Sequence, residues 1–420
     1  MKKLLIAGLA AAFVGLGATT LAAPGNAAPD PSHVAGQILV KFRDQGSADG
    51  VLRQHGLRQG NFVGTTGAQV IKVPAGRELR LIEALGHNRA VEYAEPDAVV
   101  TAVTDDTYFD RQYALKNDGQ SFQNTLETAT VPAGTPDADV DAVEAWGIAT
   151  GAGVRVAVLD TGVASDNPDI STQVVARANF SGTATQEDNY GHGTHVAGIV
   201  AAVHNSTGVA GVCPECDIVD VKVLNDSGSG STSNIVNGIA WAASAKAGDG
   251  NADIINMSLG QRVSSRTLET AVQNAWKAGV VIVAAAGNGG SQAKIYPGAY
   301  PNVIAVAATD NNDAKASFSS YGAKWVDVAA PGVSIYSTFP NHPFALQSNG
   351  RSEGYDIASG TSMASPVVAG VAALALGSHP TATNATVRGI VESTADPTVA
   401  GTGSHWKHGR VNAYDAVRAP

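Results

Sequence analysis

The chain has 420 residues, of which 44% are apolar and 15% charged, with 47 glycines and a formal net charge of −10 at pH 7. That much apolar material supports a sizeable core, and low charge with many glycines excludes a coiled coil or a disordered chain in favour of a loop-rich α/β protein. The acidic balance argues against nucleic acid as a partner, because a phosphate binder needs a basic face.

At the start of the chain, Lys2 and Lys3 precede an apolar run over 4–23 that ends in small residues near Ala27 and Ala28. This is the pattern of an export signal over 1–28. The run is dominated by Ala and Gly, which argues against a membrane anchor. No other stretch reads as long and apolar enough to span a bilayer. The expectation is a secreted, extracellular protein, free of the membrane once the leader is removed.

Next comes a compact segment over 34–104. Strand character is visible at 36–42, 68–74 and 90–100, and helical spacing at 76–86 places Leu79, Ile82 and Leu85 on one face. A unit of about 70 residues of this α+β kind is marginally stable alone. The composition changes from 105 onward. Residues 120–139 are polar and rich in Gly, Pro and Thr, and are predicted to be a surface loop. Beyond them, continuous apolar runs at 154–160, 217–224, 252–259, 279–287 and 303–310 read as buried strands. Helical patterns follow at 231–248, 265–279 and 362–376. Buried strands interleaved with helices predict a mainly parallel sheet with helices on both faces, filling 105–420.

The only cysteines are Cys213 and Cys216, in CPEC. A redox pair or half a zinc site fits that spacing, but no second metal-spaced pair lies nearby. In an exported chain a small disulfide pinning a turn is the expected state.

Three short segments carry the chemistry. In VAVLDTG, Asp160 ends a predicted strand, where ligands gather in open α/β sheets; a helix-capping role is the alternative. In GHGTHVAG, His192 stands between two glycines, ahead of an apolar helical run, and His195 is read as a packed or surface group and not a catalyst. In GTSMASP, Ser362 opens a long apolar helix, and Pro366 is read as lying within its first turn. A serine there is usually an N-cap, yet a helix N-terminus also offers free N–H groups to a developing anion. A fourth segment, AAAGNGG, presents Asn288, whose amide can donate to an oxyanion. The rival dinucleotide-loop reading fails on the GxGxxG spacing.

Together these four segments closely resemble the subtilisin-like serine proteases. The similarity covers nearly all of 105–417 and is strongest to the thermitase-like branch, on TYFDRQYAL (107–115) and the short 288–297 loop. The resemblance implies a serine endopeptidase acting on polypeptide substrates through an acyl-enzyme. Asp160 would orient His192, His192 would take the proton of Ser362, and Asn288 would stabilise the oxyanion. MSLG (257–260) resembles the family's substrate-binding strand. Ser258, Leu259 and Gly260 would pair with an extended peptide, and Ala285, Ala286 and Gly287 would wall the specificity pocket, which implies broad specificity. Ile295 departs from the Gly or Asn that many members carry near the pocket floor. Pro297 matches a proline that is cis in the family.

The resemblance also implies structural calcium, held by Asp106, Asp169 and Asn205 with carbonyls of Val203, Thr207 and Val209. ILVKF and VEYAEPD within 34–104 resemble the family's prodomain, an intramolecular inhibitor removed by self-processing, and the mature enzyme is expected to be a monomer. Two other functions compete with this reading. An inactive binding scaffold would need a lost triad member, and a dinucleotide oxidoreductase would need the missing fingerprint.

Overall fold

The computed structural model describes residues 33–98, 106–246, 248 and 250–420. The expected leader over 1–28 and the end of the N-terminal segment at 99–104 lie outside the described residues. The chain divides into two compact units, Met1–Val100 and Thr101–Pro420.

In the first unit the order is β1 (His33–Phe42), α1 (Gln45–Gln54), β2 (Ala68–Lys72), α2 (Glu78–Gly86) and β3 (Val91–Ala98). The strands form an antiparallel sheet in the order β2-β1-β3. Strand alternation buries Ile38, Val40 and Phe42 against Val51 and Leu52 of α1 and Leu85 of α2. Asp44 caps α1 by accepting the Gly46 N–H. The predicted apolar face of α2 is only partly used, since Leu79 is 56% exposed whereas Leu85 is fully buried. Six residues apart, the two leucines point about 120° from one another, too far for one narrow contact stripe.

The second unit continues with β4 (Phe122–Gln123), β5 (Thr130–Val131), α3 (Ala142–Trp146), β6 (Arg155–Asp160), α4 (Pro168–Ser171), β7 (Val174–Asn179), α5 (His192–Ala201) and β8 (Asp217–Lys222). Then follow α6 (Thr232–Ala242), β9 (Ile254–Met257), α7 (Arg266–Lys277), β10 (Val281–Ala285), β11 (Ile304–Thr309) and β12 (Val328–Pro331). It closes with β13 (Ile335–Thr338), β14 (Tyr355–Ala358), α8 (Thr361–Ser378), α9 (Asn384–Ser393) and α10 (Ala413–Val417). Seven strands form one sheet in the order β12-β11-β10-β9-β6-β8-β7, and every pairing in it is parallel. This is the predicted α/β architecture. Alternation sends Val156 and Val158 toward the α5 and α8 face, and Ala157 and Leu159 toward the α6 and α7 face.

Strand order reverses at β6, which lies between β8 and β9. That switch point opens a crevice at the carboxyl ends of the strands. Asp160 ends β6, Ser258 follows β9, and Gly287 and Asn288 follow β10 shortly after its end.

Local differences from the sequence reading have identifiable causes. Residues 120–139 are not all surface loop: β4 and β5 pair antiparallel, and Phe122, Val131, Asn124 and Asp139 are buried. Helix α6 stops at Ala242, short of 248, because the returning chain takes its last carbonyls, Gly250 N–H bonding Trp241 O and Ala252 N–H bonding Ala242 O. Helix α8 is long and apolar enough to cross a membrane, contrary to the reading above. It is buried along almost its whole length from Thr361 to Ala375, and a helix packed on all sides needs the same composition.

Candidate active site

Asp160 is fully buried at the end of β6, and its Oδ1 lies 2.7 Å from Nδ1 of His192, the first residue of α5. A carboxylate only accepts, so Nδ1 carries the proton and Nε2 of the neutral ring is left as the basic nitrogen. Gly191, at φ 99°, lets the chain turn into α5 at this point, and an ideal Cβ there would meet Phe344 Cδ2 at 2.4 Å. Burial disfavours the charged imidazole. The charge and hydrogen bond of Asp160, with a smaller contribution from Asp188, outweigh it and raise the His192 pKa above its ordinary value.

Asp188 was not singled out from the sequence. It is fully buried, and it ties the two elements together. Its Oδ1 accepts the Thr161 hydroxyl at 2.7 Å and the Gly191 N–H at 2.8 Å; its Oδ2 accepts both N–H and hydroxyl of Thr194 at 2.8 and 2.7 Å. Thr161 in turn accepts the Gly193 N–H at 2.9 Å. One carboxylate thus satisfies N–H groups that the start of α5 would leave open. His195 is a packing residue. Its Nε2 donates to the carbonyls of Ile335 and Asp356 at 3.1 and 3.2 Å, and burial lowers its pKa to about 3, which keeps it neutral.

Ser362 is the second residue of α8. Its hydroxyl donates to the Ser258 carbonyl at 3.2 Å. A hydroxyl has one proton, so in this rotamer it is not given to His192, and the expected Ser362-to-His192 hydrogen bond is not made; proton relay requires the hydroxyl to leave Ser258. Pro366 is the sixth residue of α8 and lies in the helix interior, not in the first turn as the sequence suggested. Its missing N–H would have bonded the Ser362 carbonyl four residues back. The Ser258 hydroxyl takes that carbonyl instead, at 2.8 Å.

Asn288 accepts both the N–H and the hydroxyl of Thr361 through Oδ1, at 2.9 and 3.0 Å. Thr361 also receives the Gly287 N–H at 3.0 Å. These bonds orient the amide so that Nδ2 is free to donate. An ideal Cβ on Gly360 would lie 3.3 Å from Asn288 Nδ2 and 3.6 Å from Ser362 N, so both donors border one small space beside the serine.

A cleft of about 390 Å³ adjoins them, lined by Ser258, Leu259, Gly260, Ala285, Gly287, Asn288, Ile295 and Ser362 among others. Ala286 does not line it. Alternation turns its methyl to the opposite side, where it packs with Ala307, Val326, Ala329 and Trp406. A second cleft of about 380 Å³ runs from His192 past Ser258 and Gly260 to Tyr296. The peptide bond before Pro297 is cis.

Away from the clefts, Asp106 and Asp169 are buried beside one loop. Asp106 Oδ1 accepts the Asn205 N–H at 2.8 Å, and Asp169 Oδ2 accepts the Val209 N–H at 2.9 Å. The carbonyls flanking Val209 are engaged elsewhere, Gly208 by the Tyr108 N–H and Ala210 by Gln112. Burial, and then the like charge of Asp106, push the Asp169 carboxyl up to about 7. Two buried carboxylates set against one loop are a donor set suited to a hard divalent cation. Cys213 and Cys216 are joined as a disulfide. It packs on Gly151, where an ideal Cβ would fall 2.0 Å from the Cys213 sulfur.

Residues 151–411 match the subtilase family, and residues 22–97 match the fervidolysin N-terminal prodomain. Thermitase of Thermoactinomyces vulgaris is 48% identical over 281 residues, 66% of this chain and 94% of that protein. A thermophilic serine proteinase of Bacillus sp. strain AK1 is 38% identical over 402 residues, 92% of this chain and 88% of that protein. Among solved structures, a protease of Pseudoalteromonas arctica PAMC 21717 aligns with a TM-score of 0.64 at 33% identity, covering 76% of this chain and 99% of that one. This chain belongs to the subtilase family and is a thermitase-like serine endopeptidase with an N-terminal prodomain.

Proposed function

We propose that the protein is a secreted, calcium-stabilised endopeptidase of broad specificity, made as a precursor that processes itself. The observation that carries the catalytic assignment is the 2.7 Å Asp160–His192 contact, which leaves a basic Nε2 at a cleft bordered by Ser258. The adjoining cleft holds Ser362 and Asn288.

A peptide lies against the 258–260 segment by main-chain pairing, which reads shape more than side-chain identity. Ser362 Oγ leaves the Ser258 carbonyl and attacks the scissile carbonyl carbon, while its proton passes to His192 Nε2. The new oxyanion is held by Asn288 Nδ2 and the Ser362 N–H. His192 then protonates the leaving amine as the C–N bond breaks. Water, deprotonated by the same ring, hydrolyses the resulting ester. Asp160 holds the ring's tautomer throughout.

The 34–104 segment acts as an intramolecular inhibitor until it is cut from the catalytic unit. A parallel sheet built from distant segments folds slowly, which gives such a segment a role in folding as well. Asp106 and Asp169 would hold the calcium ion, which would neutralise their like charges. Asn205 and the carbonyls of Val203, Thr207 and Val209 would complete its shell. Its contribution is to stability and not to the chemical step.

Expression of the full chain carrying Ser362→Ala tests the reading. The variant should accumulate with its N-terminal segment uncut and should not digest casein. A variant that matures and digests casein at the wild-type rate would show that Ser362 is not the nucleophile.

A further inference from the structure

Beside Ser362, the cleft runs between two walls, one formed by Ser258–Gly260 and the other by Ala285 and Gly287. Both walls carry a glycine, which by itself suggests room for a large side chain. Ile295 narrows that room. An ideal Cβ on Gly260 would fall 2.4 Å from Ile295 Cγ2, and one on Gly287 would fall 2.8 Å from Ile295 Cγ1. The two γ-carbons of Ile295 therefore press on opposite walls and bridge the gap.

Ile295 is not free to swing aside. A β-branched side chain is stiff at χ1. The next residue, Tyr296, exchanges two backbone hydrogen bonds with Gln261, at 2.8 and 2.9 Å, which anchors the segment to one wall. The Ile295 carbonyl also accepts the Ala299 N–H at 2.8 Å.

We propose that Ile295 sets the substrate class of this pocket: peptides with a small side chain, of alanine or valine size, on the acyl side of the cleaved bond. Leucine, phenylalanine and tyrosine are disfavoured there. This rests on the assignment of Ser362 as nucleophile and narrows only one subsite. The neighbouring positions are still read through main-chain pairing. Misfit of even a methylene in a packed pocket costs about 10- to 200-fold in discrimination, so a bridging isoleucine has a measurable effect.

The test uses matured protein from the full chain and peptide nitroanilides identical except for Ala, Val, Leu or Phe at the cleaved position. A serine-directed fluorophosphonate counts active sites. Wild type should favour Ala over Phe in kcat/KM by at least about tenfold, and Ile295→Gly should raise the Phe/Ala ratio about 10- to 100-fold. Ile295→Val, which removes one methyl and keeps the branch, should raise the ratio less. It also serves if the glycine variant fails to fold. A wild type that prefers Phe, or a Phe/Ala ratio unmoved in the variants that fold, overturns the proposal. Absence of fluorophosphonate label at Ser362 would instead remove the nucleophile assignment, and this inference with it.

Discussion

The Ser258 hydroxyl donates to the Ser362 carbonyl at 2.8 Å, filling the place in the α8 ladder that Pro366 leaves empty. The same residue's carbonyl accepts the Ser362 hydroxyl. Ser258 thus holds Ser362 at both ends. Ser258→Ala should leave the carbonyl without its partner and lower stability by about 1–3 kcal/mol. Pro366→Ala restores an N–H four residues on, so the double variant should be less destabilised than the sum of the two singles. Thermal melts of the four proteins in this cycle check the coupling; strict additivity would mean that the two groups do not substitute for one another.

Activity should fall in acid as His192 takes a second proton, because only the neutral ring accepts from Ser362. Burial works against the charged ring, but Asp160 and Asp188 outweigh it, so the pKa is raised and the acid limb of kcat/KM should have its midpoint above about 6.5. A midpoint below that value would show that burial dominates.

Asp188→Asn separates charge from packing. The amide keeps the shape but removes one negative charge and meets the Thr161 and Thr194 donors with a donor of its own. With the charge gone, protonated His192 loses stabilisation, so the acid limb should move to lower pH while the melting temperature drops. A lower melting temperature with an unmoved acid limb would leave Asp188 as a packing residue only.

Asn288→Ala should lower kcat with little change in KM, because the amide meets the oxyanion and not the ground-state carbonyl. The subtilisin oxyanion asparagine is the established example of this effect, and its loss there costs about 10²–10³ in kcat. Steady-state kinetics on one nitroanilide peptide decide the matter. An effect confined to KM would place Asn288 in substrate binding alone.

Removing calcium should lower the melting temperature, since an ion bound only by the folded chain stabilises it by mass action, about 2.7 kcal/mol at one hundred times its dissociation constant. Scanning calorimetry before and after exhaustive chelation measures it. The drop should be smaller in Asp169→Asn, which removes one of the two carboxylates. Equal drops would place the ion elsewhere.

Much of this was legible in the chain because the informative groups sit in short segments. Apolar runs mark five of the seven parallel strands and miss β7 and β12, and Asp160, His192, Ser362 and Asn288 each stand within two residues of a glycine. What was not legible depends on partners far along the chain. Asp188 serves Thr161, twenty-seven residues before it, and nothing local distinguishes it from a solvated carboxylate. Pro366 looked like a first-turn proline because its compensation comes from Ser258, over one hundred residues away. The end of α6 was missed because the carbonyls that close it are claimed by a later loop, and Ala286 because alternation carries it past the cleft wall.

Helix α8 gives the assembly a distinctive failure mode. Its buried shaft is the spine of the larger unit, and Ser362, the proposed nucleophile, is mounted at its tip. Local fraying elsewhere can loosen a loop, but the Ser362 backbone cannot drift without disturbing the spine, and core helices of this kind open with free energies approaching that of global unfolding. Heat inactivation should therefore be abrupt, with residual turnover and cooperative melting following the same curve.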